Sequence, residues 1–368
     1  MIKKQFFTIL IVSQFIFLSG QAQMKYDFSA IDQLWPIINT LQQDQEPIDE
    51  IWETLFKTPG YAALLKYELS EAFFKKHLRL TYKPSMKTNK QELLAANNRY
   101  ILHYDKLLSY KDSILVFQAQ FKNTEIVNQA LQLTSEYLTP EMLKNAPSAP
   151  LAFILFDRDA RGGYGPIIFD IIFVLDRKEK ATSLFAHELH HGYRMLNMAY
   201  DEEKVELKHD NLLQALNWLQ QEGIADQVNI PSEYILSLAK KNDEWAINYQ
   251  RKIDQSPDII IKLNMILNNM VVSENNLAEL GRELVSNIPQ SGHPTGDYMV
   301  EKIIKYLGKK DLIETGGNPF AFIYLYNIAV KNDMTLPFFS KQVITFLHEI
   351  EKQYVKQPRF DLVKKAYI

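Results

Sequence analysis

The chain has 368 residues, 41 Lys plus Arg against 44 Asp plus Glu, and a formal net charge of −3. With 46% hydrophobic and 23% charged residues, it can bury a sizeable core in one large domain or two moderate ones, which excludes disordered, collagen-like and coiled-coil chains; the balanced charge gives no footprint for nucleic acid. Cysteine is absent, so disulfides, thiolate metal sites, cysteine nucleophiles and the lipid-bearing cysteine of lipoproteins are excluded.

Lys3 and Lys4 form a short basic region, residues 6–18 are strongly apolar, and small and polar residues follow over 19–23. This order reads as a secretory signal peptide over 1–22, cut after Ala22. The apolar run is shorter than the ~20 residues of a spanning helix. The mature protein is therefore expected to be exported, periplasmic or secreted, with no stable membrane insertion after signal removal.

Residues 23–146 read as a helical N-terminal region. Apolar residues recur at three- and four-residue spacing over 48–56, 62–78 and 92–110, with breaks at Pro59, Gly60 and Pro84. The stretch 145–150, with two prolines, is the candidate linker to a second region over 147–368. Two runs rich in Ile, Phe and Val follow, 151–156 and 167–175, with Gly162, Gly163 and Gly165 between them. They predict two strands joined by a glycine-rich turn. That turn lacks the Lys-Ser/Thr ending of a phosphate loop and the spacing of a dinucleotide fingerprint. Helical spacing returns from Ala181 onward, broken around Pro257, residues 289–294 and 316–319, and Pro337. The expected class is mostly α with a small β-sheet, α+β.

Residues 187–191 read HELHH, which contains His-Glu-x-x-His. On a helix His187 and His191 lie one turn apart on the same face, and both can reach one metal ion at about 2.0–2.1 Å. Glu188 lies about 100° around, where it can act on water without taking a coordination position. Leu184, Phe185, Leu189, Gly192 and Leu196 form an apolar face from which the two histidines project away. His190 belongs to neither group and reads as a flank or cleft residue. A catalytic zinc takes about three protein ligands, and the downstream candidates are Glu202, Glu203, Glu206, His209 and Glu222. A helix over 212–228 has an inner face of Leu212, Ala215, Leu216, Leu219, Glu222, Gly223 and Asp226. A carboxylate on such a stripe is costly unless paired or bound to metal, which favours Glu222 as ligand. Asp226, one turn on, can accept the outer N–H of a ligating histidine. His209, among Glu206, Lys208 and Asp210, reads as an exposed loop residue and is the rival ligand.

HELHHGY (187–193) followed by EGIAD (222–226) is similar to the gluzincin arrangement of zinc peptidases, the group that includes thermolysin. More narrowly, the chain resembles a bacterial family of zinc-dependent peptidases of otherwise unknown function. The matching stretches are EPIDEIWETLFKTPGY (46–61), the two zinc motifs and GHPTGDYM (292–299), the last with Asp297 where similar proteins often have an aromatic. The resemblance implies a zincin-like metallopeptidase core, zinc as cofactor and hydrolysis of a peptide or protein substrate. In such a reaction His187, His191 and Glu222 hold zinc and Glu188 is the general base. His293 and Tyr298, flanking a Pro-Thr-Gly turn ahead of a helix over 297–307, are candidate donors to the oxyanion, with Tyr193 weaker. The strand over 167–175 is expected to be an edge that takes extended substrate. The alternatives are a metal- or partner-binding protein without turnover, and zinc-dependent hydrolysis of a non-peptide substrate. An intact Glu188 speaks against the first, since a binding site needs no base there.

Overall fold

The computed structural model describes residues 25–367, except 122–124, 148–149, 163–164 and 334. The signal-peptide segment, 1–22, lies outside the described residues. The fold is mostly helical with a small sheet, the α+β class that the periodicity predicts. The strands are β1 (Tyr26–Asp27), β2 (Leu151–Ile154), β3 (Ala160–Arg161) and β4 (Ile167–Asp170). Two compact units are present and they interleave along the chain rather than meeting at a single boundary near 146.

The first unit comprises the described residues up to Asp105 together with 146–157 and 164–170. Its helices are α1 (Ser29–Gln42), α2 (Asp49–Phe56), α3 (Pro59–Tyr67), α4 (Glu71–Tyr82), α5 (Lys87–Ala95) and α6 (Arg99–Asp105). The periodic stretch 62–78 is split between α3 and α4 because Ser70 Oγ accepts the Phe73 N–H and starts a new helix. The stretch 92–110 is split at Asn97, whose φ of 54° is left-handed.

The sheet departs from the expected pair of strands joined by a tight turn. β2 and β4 run parallel, with Leu151 opposite Ile167 and Ile154 opposite Asp170, and β1 pairs parallel with β2 from the other end of the unit. Parallel neighbours need a crossover, and residues 155–166 supply it. The physical reason lies in the composition: every residue of β2 and β4 is buried, as in parallel sheets, rather than alternating between core and water. β4 also ends at Asp170, so the second half of the 167–175 run is helical instead. Because Ile167 to Asp170 are all at most 1% exposed, β4 offers no open edge to an extended substrate. Phe28 stacks on Phe153 at 4.4 Å, and the Tyr61 hydroxyl donates to the Leu155 carbonyl at 2.7 Å.

The second unit holds residues 106–145, 158–163 and 171–368. It contains α7 (Lys111–Phe121), α8 (Ile126–Ser135), α9 (Ile171–Asp176), α10 (Ala181–Leu196), α11 (Leu207–Asn229), α12 (Ser232–Ala239) and α13 (Glu244–Asp254). There follow α14 (Ser256–Val272), α15 (Leu277–Ser286), α16 (His293–Tyr306), α17 (Lys309–Ile313), α18 (Pro319–Val330), α19 (Lys341–Tyr354) and α20 (Phe360–Ala366). α18, PFAFIYLYNIAV, is buried on nearly every side, as an all-round apolar helix must be. Asn318 starts it, its side-chain oxygen accepting from the Phe320 and Ala321 amides at 3.1 Å each. Among the described residues no helix is long and apolar enough to cross a membrane.

Candidate functional site

α10 carries HELHH and is buried around most of its circumference. Phe185 packs edge-on against Phe121 of α7, and the Thr134 hydroxyl of α8 donates to the Ala186 carbonyl at 2.9 Å. These contacts hold one side of the helix, so His187 and His191 face the other way, toward α11. There the two Nε2 atoms stand 3.0 Å apart, with the rings nearly perpendicular.

α11 begins earlier than its apolar stripe predicts, at Leu207, and its inner face is buried as expected from Leu212 to Asp226. Glu222 Oε2 lies 3.4 Å from His187 Nε2 and 3.2 Å from His191 Nε2. The three atoms therefore form a near-equilateral triangle. One turn further along α11, Asp226 Oδ1 is 3.5 Å from His187 Nδ1.

The third element is α16, and two glycine contacts bring it in. A Cβ on Gly223 would stand 2.4 Å from the Gly296 carbonyl carbon, and one on Gly296 would stand 2.2 Å from the Leu219 carbonyl oxygen. Only glycine at both positions lets the two helix backbones touch. The turn before α16 is left-handed over Gln290, Ser291 and Gly292, at φ 48°, 51° and 99°. The helix accordingly starts at His293 and not at 297, and the expected Pro-Thr-Gly turn forms its first turn instead. Pro suits that position because its missing N–H has no helical partner there. His293 is thereby delivered to the cluster. Its Nε2 is 3.4 Å from Glu222 Oε2, its Nδ1 is 2.8 Å from Asp226 Oδ2, and its ring lies nearly parallel to that of His187.

Asp226 is fully buried and also accepts the Tyr249 hydroxyl of α13 on Oδ2, at 2.8 Å. Tyr249 is part of the site that the sequence does not single out. A tyrosine on an amphipathic helix carries no spacing signal, and its partner lies on another helix. Burial, reinforced by the Asp226 charge, raises its pKa well above 10, so it remains an O–H donor.

The electrostatics follow from these neighbours. Burial opposes ionisation of Glu222, but the surrounding histidines outweigh it and hold its carboxyl well below the usual range. Burial likewise disfavours a charged His293, yet Asp226 and Glu222 raise its pKa to about 10. Glu188 is 7% exposed, and burial pushes its carboxyl up to about 7; a divalent cation nearby would oppose that rise. The segment beside it is tight, since a Cβ on Gly162 would stand 3.2 Å from Glu188 Oε2 and 3.0 Å from the His191 Cβ. Asp159 and Arg161, which pair with each other, flank the same carboxylate.

The residues fit zinc on two grounds. Donors at about 2.0–2.1 Å around a tetrahedral ion stand about 3.3 Å from one another, and the His187, His191 and Glu222 atoms are 3.0–3.4 Å apart. Two imidazoles and a carboxylate are also a known donor set for that ion in hydrolases. Glu188 lies close enough to both histidines to belong to the same cluster of potential donors, but the closest approaches are made by Glu222.

Other expected residues lie elsewhere. Tyr298 is 7% exposed and belongs to the hydrophobic core, with the Lys302 ammonium over its ring at 4.6 Å; five helical residues turn it about 140° away from His293. Tyr193 packs with Leu138 and Met142. His209 is not in an exposed loop: it is 3% exposed, in the first turn of α11, with Nδ1 2.7 Å from the Tyr354 hydroxyl of α19. At 1.5 Å per residue it is about 20 Å along the helix from Glu222. Glu202, Glu203 and Glu206 are exposed. His190 is buried at 2% exposure rather than lining a cleft, and burial keeps it neutral.

No curated protein and no solved structure matches the chain. The model of the family described as "Putative zinc dependent peptidase (DUF5700)" matches residues 52–335, which contain all of the cluster, and the chain belongs to that family.

Proposed function

We propose that the protein is a zinc-dependent peptidase of the gluzincin arrangement on a zincin-like core, acting on peptide or protein substrates outside the cytoplasm. The observation that carries the reading is the convergence of His187 Nε2, His191 Nε2 and Glu222 Oε2 within 3.0–3.4 Å of one another. Beside them stands Glu188, a carboxylate that the ion does not need. The signal-like order of residues 1–22 supports export.

His187, His191 and Glu222 hold zinc in this reading, and Asp226, behind His187 Nδ1, fixes the tautomer of that histidine. When bound, zinc supplies a Lewis acid that acidifies water and polarises a carbonyl. Glu188 takes the proton of the water that adds to the peptide carbonyl carbon and delivers it to the amine as the C–N bond breaks. His293, kept charged by Asp226 and Glu222, directs its Nε2–H at the cluster. There it donates to the carbonyl oxygen as negative charge develops. Burial of His187, Glu188 and Glu222 strengthens each of these interactions relative to water.

The test is digestion of a general peptide library by the purified protein, together with elemental analysis. The reading expects one zinc per chain and cleavage that a chelator abolishes and added zinc restores. Cleavage indifferent to chelator, or a protein that takes up no zinc, overturns it.

A further inference from the structure

We propose that Tyr249 is a positioning residue of this centre: its hydroxyl locks the Asp226 carboxylate in the one orientation that serves His293 with Oδ2 and leaves Oδ1 for His187. The proposal rests on the functional reading above. Tyr249 lies on α13, which supplies no candidate ligand, and no motif of the sequence points to it.

The argument is a count of lone pairs. A carboxylate oxygen presents two acceptor positions. On Asp226 Oδ2 both are used, one by the Tyr249 hydroxyl and one by His293 Nδ1, each at 2.8 Å. Oδ1 has no hydrogen-bond partner among the described residues, and 3.5 Å away stands His187 Nδ1, which has none either. The terminal torsion of an aspartate is broad and two-fold, so a carboxylate held by one donor alone could turn and share its oxygens differently. Two donors on two helices, α13 and α16, remove that freedom.

One group then sets the tautomer of His187 and the ring orientation of His293. With its proton on Nδ1, His187 keeps the Nε2 lone pair for the ion. His293, tied at Nδ1, keeps Nε2 facing Glu222 at 3.4 Å. Tyr249 is 4% exposed and its ring leans on Trp245 at 5.3 Å, so water does not compete for its hydroxyl and the ring stays in place without it.

Tyr249→Phe in the full chain tests this, since it deletes one oxygen and keeps the ring. Zinc affinity is read by competition with a chromogenic chelator, and coordination by the visible spectrum of the cobalt(II)-substituted protein. The variant should still bind one zinc per chain, on the order of 10-fold more weakly, at the low end for groups that orient a ligand. Its cobalt spectrum should shift. Asp226→Asn should also weaken binding, and the double variant should be no weaker than Asp226→Asn alone, because Tyr249 acts through Asp226. Wild-type affinity and spectrum in Tyr249→Phe, or fully additive losses in the double variant, overturn the proposal. A wild-type chain that binds no zinc overturns the functional reading itself, and this inference with it.

Discussion

His187 and His191 need a third donor, and the candidates can be separated one residue at a time. Glu222→Ala and His191→Ala should each abolish stoichiometric zinc, because two protein ligands seldom hold a catalytic ion. His209→Ala should keep it. That change should instead cost stability, about 1–2 kcal/mol for the lost hydrogen bond to Tyr354. Elemental analysis and thermal unfolding of the three variants check this, and zinc retained by Glu222→Ala but lost from His209→Ala would reverse the assignment. Helical spacing brings His187 and His191 together in the sequence, and Glu222 stands out there as a carboxylate on an apolar stripe; that it reaches the histidines depends on the packing of α11 against α10. Tyr249 and the burial of His209 are not legible, because each depends on a partner from a distant helix. Tyr298 misleads for a simpler reason. Treating 293–296 as a turn leaves its direction free, whereas continuing the helix through those residues carries it into the core.

At the scale of elements, the site is the meeting of α10, α11 and α16, and glycine sets the last of these crossings. Gly223→Ala or Gly296→Ala would force the α11 and α16 backbones apart, since the added carbons fall 2.2–2.4 Å from main-chain atoms. Each should cost about 1–3 kcal/mol as overpacking does, and each should also weaken zinc binding, because Glu222 rides on α11 and its neighbour His293 on α16. Gly308→Ala is the control: its φ of 102° strains any other residue, but nothing lies within 4 Å of its Cβ. It should lose stability without losing zinc. Denaturant midpoints and chelator competition on the three variants separate the effects, and an unchanged zinc affinity in Gly223→Ala would show that the crossing does not set the site. The HELHH helix α10 and its neighbour α11 are visible in the sequence because long amphipathic periodicity is a strong signal. The sheet is only half visible. Apolar runs mark β2 and β4, but their parallel pairing depends on a crossover, and two-residue strands such as β1 and β3 have no periodicity to read. The run from Ile171 onward shows the same ambiguity, since a short, wholly apolar stretch fits a buried helix as well as a strand.

For the molecule as a whole, every residue of the cluster belongs to one of the two units, the one that contains α10 to α16. The 145–150 linker does mark one change of unit, at 145/146, but the other crossings, at 105/106, 157/158, 163/164 and 170/171, carry no composition signal. Zinc binding should stabilise that unit by mass action, by about 2.7 kcal/mol at free zinc a hundredfold above its dissociation constant. Calorimetry with and without chelator should therefore show its unfolding moved to lower temperature when metal is withdrawn, and superimposable traces would argue that no ion is held by the fold.

The most direct measurement compares the wild-type chain with Glu188→Gln in one peptide-library digest, with zinc content determined on both. Glutamine keeps the size of the side chain and removes the base. The account predicts one zinc per chain in each protein, and cleavage at least about 10²-fold slower in the variant. Equal cleavage by the two proteins, with zinc present in both, would contradict it.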